Sequence, residues 1–154
     1  GDPNEDLRLD AQIALVRVAP ELGYPALTRQ LAAKDPLQRS GAIQGAGQAP
    51  PSRLRAAFLV AALDDASYGN RVHALYLLTR EPEASLAPRL HALLKDPHWL
   101  VRRGAARALA KIGASGGVAR GRLSELAASD PEGDVREAAA AALEAIAKSP
   151  AKAR

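Results

Sequence analysis

The 154-residue chain has no cysteine and no methionine, and its aromatic residues are one Trp, three Tyr and one Phe. Without cysteine there is no disulfide, no thiolate metal site and no thiol nucleophile, and redox compartment goes unmarked. With so few aromatics the core must be built from small aliphatic side chains, chiefly Ala, Leu and Val. No apolar run approaches the length of a membrane span, and no signal-like segment is present. The chain opens on Gly1 and contains no Met, so the native start is expected to have been removed. The expected compartment is the cytoplasm, with the periplasm or the exterior left open. An alanine-rich apolar fraction of 47% favours many short, closely packed helices over a sheet, since Ala is the best helix former.

What is present is a repeat. "DPNEDLRLDAQIALVRVA" (2–19) aligns without a gap on "DPHWLVRRGAARALAKIG" (96–113) and on "DPEGDVREAAAAALEAIA" (130–147). "DASYGNRVHALYLLTRE" (65–81) fits the same frame, and "DPLQRSGAIQGAGQA" (35–49) fits after losing two residues. The shared arginines Arg8, Arg39, Arg71, Arg102 and Arg136 are separated by 31, 32, 31 and 34 residues. A helical period of that length indicates a solenoid.

Each copy reads as a helix pair. In the first helix, Leu7, Ala11, Ala14, Leu15 and Val18 form one stripe. It recurs as Val101, Ala105, Ala108, Leu109 and Ile112, and again as Val135, Ala139, Ala142, Leu143 and Ile146. Such spacing marks the buried face of an α-helix. Asp-Pro is a start signal, and Ala19-Pro20, Ala49-Pro50, Glu81-Pro82 and Gly113–Gly117 are stops. Second helices are predicted over 24–34, 52–63, 83–95 and 118–129. The predicted architecture is an all-α, right-handed α-solenoid of about five helix pairs, nine helices in all. It forms a single domain over 1–148, with copies at 2–34, 35–64, 65–95, 96–129 and 130–148. A frayed basic tail follows at 149–154.

The pattern "DP…VR…AA.AL..IG" resembles the HEAT-like repeats of the phycobilisome-lyase type, over essentially the whole chain. That resemblance implies a helical scaffold. Functions on such folds include partner binding, chromophore-lyase or maturation subunits, iron-dependent hydroxylation and DNA repair. The hydroxylases use repeated His-Glu pairs, and no His-Glu occurs here.

The five arginines, with Asp2, Asp35, Asp65, Asp96 and Asp130 in matching slots, are expected to form a structural ladder between copies. A basic row for phosphate is the alternative. His73, His91 and His98 lack the paired spacing of metal ligands. Serines and aspartates show no nucleophile–base arrangement, and Gly41, Gly45 and Gly47 sit inside a helix, not in a phosphate loop. Neither catalysis, a metal nor a cofactor is therefore expected. Tyr68 and Trp99 each stand three residues after the opening Asp of their copy. They either cap their turns or form an aromatic ridge for a partner.

Charge supplies the other lead. Between Arg29 and Arg122 fifteen basic residues face six acidic ones, while the flanks are acidic. In HEAT-like solenoids the second helices line the concave face, so the resemblance implies a basic inner surface. Its expected residues are Arg53, Arg55, Arg89, His91, Arg120 and Arg122. The preferred function is a non-catalytic scaffold that grips an acidic protein or peptide there. Nucleic-acid binding through phosphates and an accessory lyase or maturation subunit are the alternatives. Oligomeric state is not legible.

Overall fold

The computed structural model describes the backbone of residues 3–81 and 83–149, and the described residues form helices and turns with no strand. Nine α-helices follow one another: α1 (Pro3–Val18), α2 (Pro20–Gln30), α3 (Pro36–Gln48), α4 (Arg53–Ala62), α5 (Tyr68–Leu78), α6 (Ala87–Leu93), α7 (Trp99–Ile112), α8 (Arg120–Ser129) and α9 (Gly133–Lys148). A 3-10 turn, Ala84–Leu86, leads into α6. Another, Gly113–Ala119, runs without a break from α7 into α8, so the nine helices make eight continuous helical runs. Gly113 has φ 58° and closes on the Ser149 side chain, a conformation and an approach that glycine alone meets without strain.

Start signals act as their chemistry dictates. Asp35 caps α3 by accepting from Leu37 N at 2.9 Å, and Ser52 caps α4 by accepting from Arg55 N at 3.1 Å. α1 stops at Val18, just before Ala19-Pro20, and Pro20 is also the first residue of α2, so α2 begins four residues earlier than its apolar pattern predicts.

The chain divides into two compact units, Gly1–Leu78 and Thr79–Arg154, with the division inside the third copy. In the first unit, α1, α3 and α5 pack in succession, and α2 packs on α4. Val16, Leu27, Ile43 and Leu59 are sealed from solvent between these helices. α3 comes close to α1 because Gly41 and Gly45 lie under Leu9 and Ile13. These paired contacts, both advancing along the chain, show that α1 and α3 run parallel. In the second unit, α7 packs on α9 and α6, while α8 packs on α9. Its core holds Leu90, Leu94, Val101, Leu109, Leu123 and Ile146. Each such side chain contributes about 1.5–3 kcal/mol when removed from water.

One stripe departs from expectation. In α7 and α9 the repeated stripe is buried: Val101, Ala105, Ala108 and Leu109, then Val135, Ala139, Ala142 and Ile146. In α1 it faces out. Leu7 is 67% exposed, Val18 81%, and Ala11 and Ala14 are exposed too. α1 instead buries Val16 and half-buries Leu9, Gln12 and Ile13, together with Leu15 of the predicted stripe. The reason lies in position. Gly45 of α3, which occupies the slot of Ala14, faces the helix before it, and α1 has no described helix before it.

Ser149, expected to open the frayed tail, donates its backbone N–H to Ala145 O at 3.1 Å and its hydroxyl to the same oxygen at 3.0 Å. The rest of that tail, 150–154, lies outside the described residues, as does Asp2.

Candidate functional site

The arginine ladder sits where first helices meet their preceding turns. Arg102 Nη1 donates to two carbonyls of its own turn, Asp96 O at 3.0 Å and Pro97 O at 3.1 Å. Its Nε and Nη2 grip the Asp130 carboxylate of the next copy at 2.8 and 2.9 Å. Asp130 Oδ1 also accepts from Glu132 N at 3.0 Å. The first unit repeats the arrangement. Arg39 Nη1 reaches Ala33 O and Lys34 O, and its fork holds Asp65 at 2.7 and 2.9 Å. Ser67 N supplies the backbone donor to Asp65. Bidentate, charge-assisted bonds of this kind are the strong class.

Arg71 and Arg136 hold their own turns in the same way: Arg71 through Asp65 O and Ala66 O, Arg136 through Asp130 O and Pro131 O. No carboxylate among the described residues meets the Arg136 fork. Arg8 is a different case. It is exposed, and no bond joins it to Asp35, whose carboxylate serves Leu37 N instead. The row of five arginines therefore starts, within the described residues, at Arg39.

Ionisation follows this geometry. Burial alone would raise the Asp130 carboxyl, but the Arg102 guanidinium and the Glu132 N–H outweigh it and hold the carboxyl below the usual range. Asp65 is lowered in the same way: Arg39, the Ser67 N–H and Asn70 together outweigh its burial. Burial pushes His73 down.

The basic residues expected on the second helices do not share one environment. Arg53 and Arg120 are exposed, as is Arg29 on α2. Arg89 and His91 are half-buried. Arg122 Nη1 pairs with Glu125 one turn on at 2.8 Å, and its buried Nε has no partner among the described residues. Arg55 corrects the expectation: it is 6% exposed. Its Nε donates to Ala46 O at 3.2 Å, and it lies close enough to the buried Tyr24 phenol to oppose the rise that burial imposes there. Placing Arg53 and Arg55 on either side of Leu54 gives both equal access to solvent. In the fold α4 turns one of them inward, where the Ala46 carbonyl near the end of α3 accepts from it alongside the Ala49 N–H.

The two aromatic positions also differ. Tyr68 is the first residue of α5 and is 47% exposed. Trp99 is the first residue of α7 and half-buried. The guanidinium of Arg103 stands 5.0 Å from its ring centroid, and His98 stacks beside it with 17° between the planes. Arg103 is held in turn by Asp134 of α9. His98 Nδ1 accepts from Leu100 N at 3.3 Å, capping α7. Sequence reasoning missed this role, though His98 falls in the residue before a helix start, where an acceptor side chain is wanted.

No group of three or more His, Asp or Glu able to hold a metal occurs among the described residues. No described helix is long and apolar enough to cross a membrane. A family model for HEAT repeats matches residues 56–144. The chain belongs to the HEAT-repeat family. The match is to HEAT repeats in general, not to the phycobilisome-lyase type, and no curated protein matches the sequence. In this HEAT-repeat protein, then, the ladder arginines Arg39 and Arg102 are committed to holding successive copies together. On the second helices Arg29, Arg53 and Arg120 are left to solvent, as Arg8, Arg17 and Arg107 are on the first helices.

Proposed function

We propose that this HEAT-repeat protein is a non-catalytic interaction scaffold that binds an acidic protein or peptide along its second helices. The observation that carries the reading is a division of labour among the arginines. Arg39 and Arg102 are consumed by carboxylates of the array. Arg29 and Arg53, on the mutually packed α2 and α4, are exposed and meet no carboxylate among the described residues. Arg120 on α8 is likewise exposed, its one hydrogen bond among the described residues a 3.4 Å bond to Ile146 O. α2, α4, α6 and α8 hold six arginines between them and two glutamates, Glu21 and Glu125. HEAT repeats commonly serve as protein-interaction scaffolds, and an excess of arginine over glutamate on the second helices suits an acidic partner. The accessory-lyase alternative has no observation of its own behind it.

The test is an anisotropy titration of a fluorescent glutamate-rich peptide against the wild-type chain and an Arg29→Glu/Arg53→Glu/Arg120→Glu variant. The variant is expected to lose at least about tenfold in affinity, mainly through association rate, with helicity unchanged. Duplex DNA serves as the competitor probe. If DNA binds more tightly than the peptide, with affinity falling log-linearly and steeply with salt, the protein reads phosphates and the acidic-peptide reading fails.

A further inference from the structure

We infer that α1 is the contact helix of a two-fold homodimer, lying antiparallel against α1 of a second copy. The starting point is the outward stripe Leu7, Ala11, Ala14 and Val18, spaced four, three and four residues apart and exposed throughout. The opposite side of α1 is already occupied: Leu9 and Ile13 meet Gly41 and Gly45 of α3, and Val16 meets Gly23 of α2. The outward stripe is the same set of slots that α9 closes with Val135, Ala139, Ala142 and Ile146.

A preceding HEAT-type copy stacked in register is a poor fit to this face. Asp10, exposed on the edge of the stripe, takes the slot held by Gly41, His73, Gly104 and Ala138 in the later copies. Gly41 shows what that slot does in the array, for it lies directly under Leu9 of the preceding parallel helix. A carboxylate pressed there against an apolar neighbour such as Leu9 would lose its water.

Turned end for end about an axis between Gln12 and Ile13, the same helix complements itself. Leu7 falls opposite Val18, and Ala11 opposite Ala14, each pair occurring twice. Two alanine layers at the centre let the backbones approach closely, while the larger side chains close the ends. On one flank Asp10 of each copy falls beside Arg17 of the other, giving two opposite-charge pairs across the axis. On the other flank the stem of Arg8 covers Leu15. Asp10 and Arg17 are both exposed and take part in no ion pair within the described chain. An isologous contact demands this kind of self-complementarity, and the layer spacing is that of a coiled-coil seam. One helix face is small for a specific interface, so a dissociation constant of about 10–100 μM is expected.

Sedimentation across a concentration series should show a monomer–dimer equilibrium that stops at the dimer. Asp10→Arg and Arg17→Asp should each weaken the dimer by about tenfold or more, and the double variant should restore it. Circular dichroism reports whether α1 stays helical in each. Because the chain has no cysteine, a mixture of Ala11→Cys and Ala14→Cys chains gives a second readout. Under mild oxidation the mixture should crosslink faster than either chain alone. A chain that is monomeric at every concentration overturns the inference, as does growth beyond the dimer or a double reversal as weak as the single ones. None of these outcomes bears on peptide binding by the second helices.

Discussion

Replacing Arg102 with alanine removes four bonds: two to the carbonyls of its own turn and two to Asp130. The larger cost falls on what remains. The Asp130 side chain is 3% exposed and its partner's 11%, so the carboxylate would stay dry with the Glu132 N–H as its remaining donor. Removing one member of a buried, hydrogen-bonded ion pair costs about 3–5 kcal/mol, and the small residual exposure places this pair near 3. Arg136 provides the internal control, since it makes the same two turn-carbonyl bonds at 2.7 and 3.1 Å without a carboxylate on its fork. Its replacement should cost about 1 kcal/mol. In a chain of this size each kcal/mol moves the melting midpoint by about 2–4 °C. Arg102→Ala should therefore melt about 6–12 °C below the parent and Arg136→Ala about 2–4 °C below, followed by circular dichroism at neutral pH. Equal shifts would show that the turn carbonyls, not the link to the next copy, carry the stabilisation.

Acid should act through the same pairs. The Asp65 and Asp130 carboxyls are lowered in the folded chain. Their contribution is complete above the ordinary carboxylate range and fades as pH falls through the folded values. The urea midpoint should accordingly drop between neutral pH and pH about 3, and Asp130→Asn should flatten that dependence. Two glycine-to-alanine changes should have opposite signs. At Gly121 an added methyl would meet nothing within 4 Å, so Gly121→Ala should gain about 0.5–1 kcal/mol from helix propensity. Gly45, which lies against Ile13, should lose stability despite the same propensity gain; urea titration reads both. Arg103→Ala should uncover the Trp99 ring, and acrylamide should then quench the chain's single tryptophan more efficiently.

The Asp-Pro starts, the Arg slots and the apolar stripes made the helices of this fold legible in the sequence. They set most boundaries closely, α4 and α9 among them. Periodicity shows that a helix has an apolar face but not which neighbour covers it. For that reason the α1 stripe reads as core from spacing, while in the structure it faces solvent. Arg55 shows the same limit at the level of one residue. Its spacing from Leu54 is compatible with either side of α4, and the deciding partner, the Ala46 carbonyl, lies on another helix. The glycines of α3, which cost helix propensity when read alone, become intelligible once Leu9 and Ile13 are seen above them.

The rung that joins Arg102 to Asp130 makes few demands on the residues around it. Apart from that one pair of side chains, every group it uses is main chain: the carbonyls of Asp96 and Pro97 and the N–H of Glu132. Substitutions at those positions, proline at 132 excepted, leave the donors and acceptors where they were. Successive copies are thus free to drift apart in sequence while the stacking geometry is inherited intact. That freedom accounts for a second copy that has shed two residues and still presents Arg39 to Asp65. It also leaves the second helices open to selection for whatever they bind.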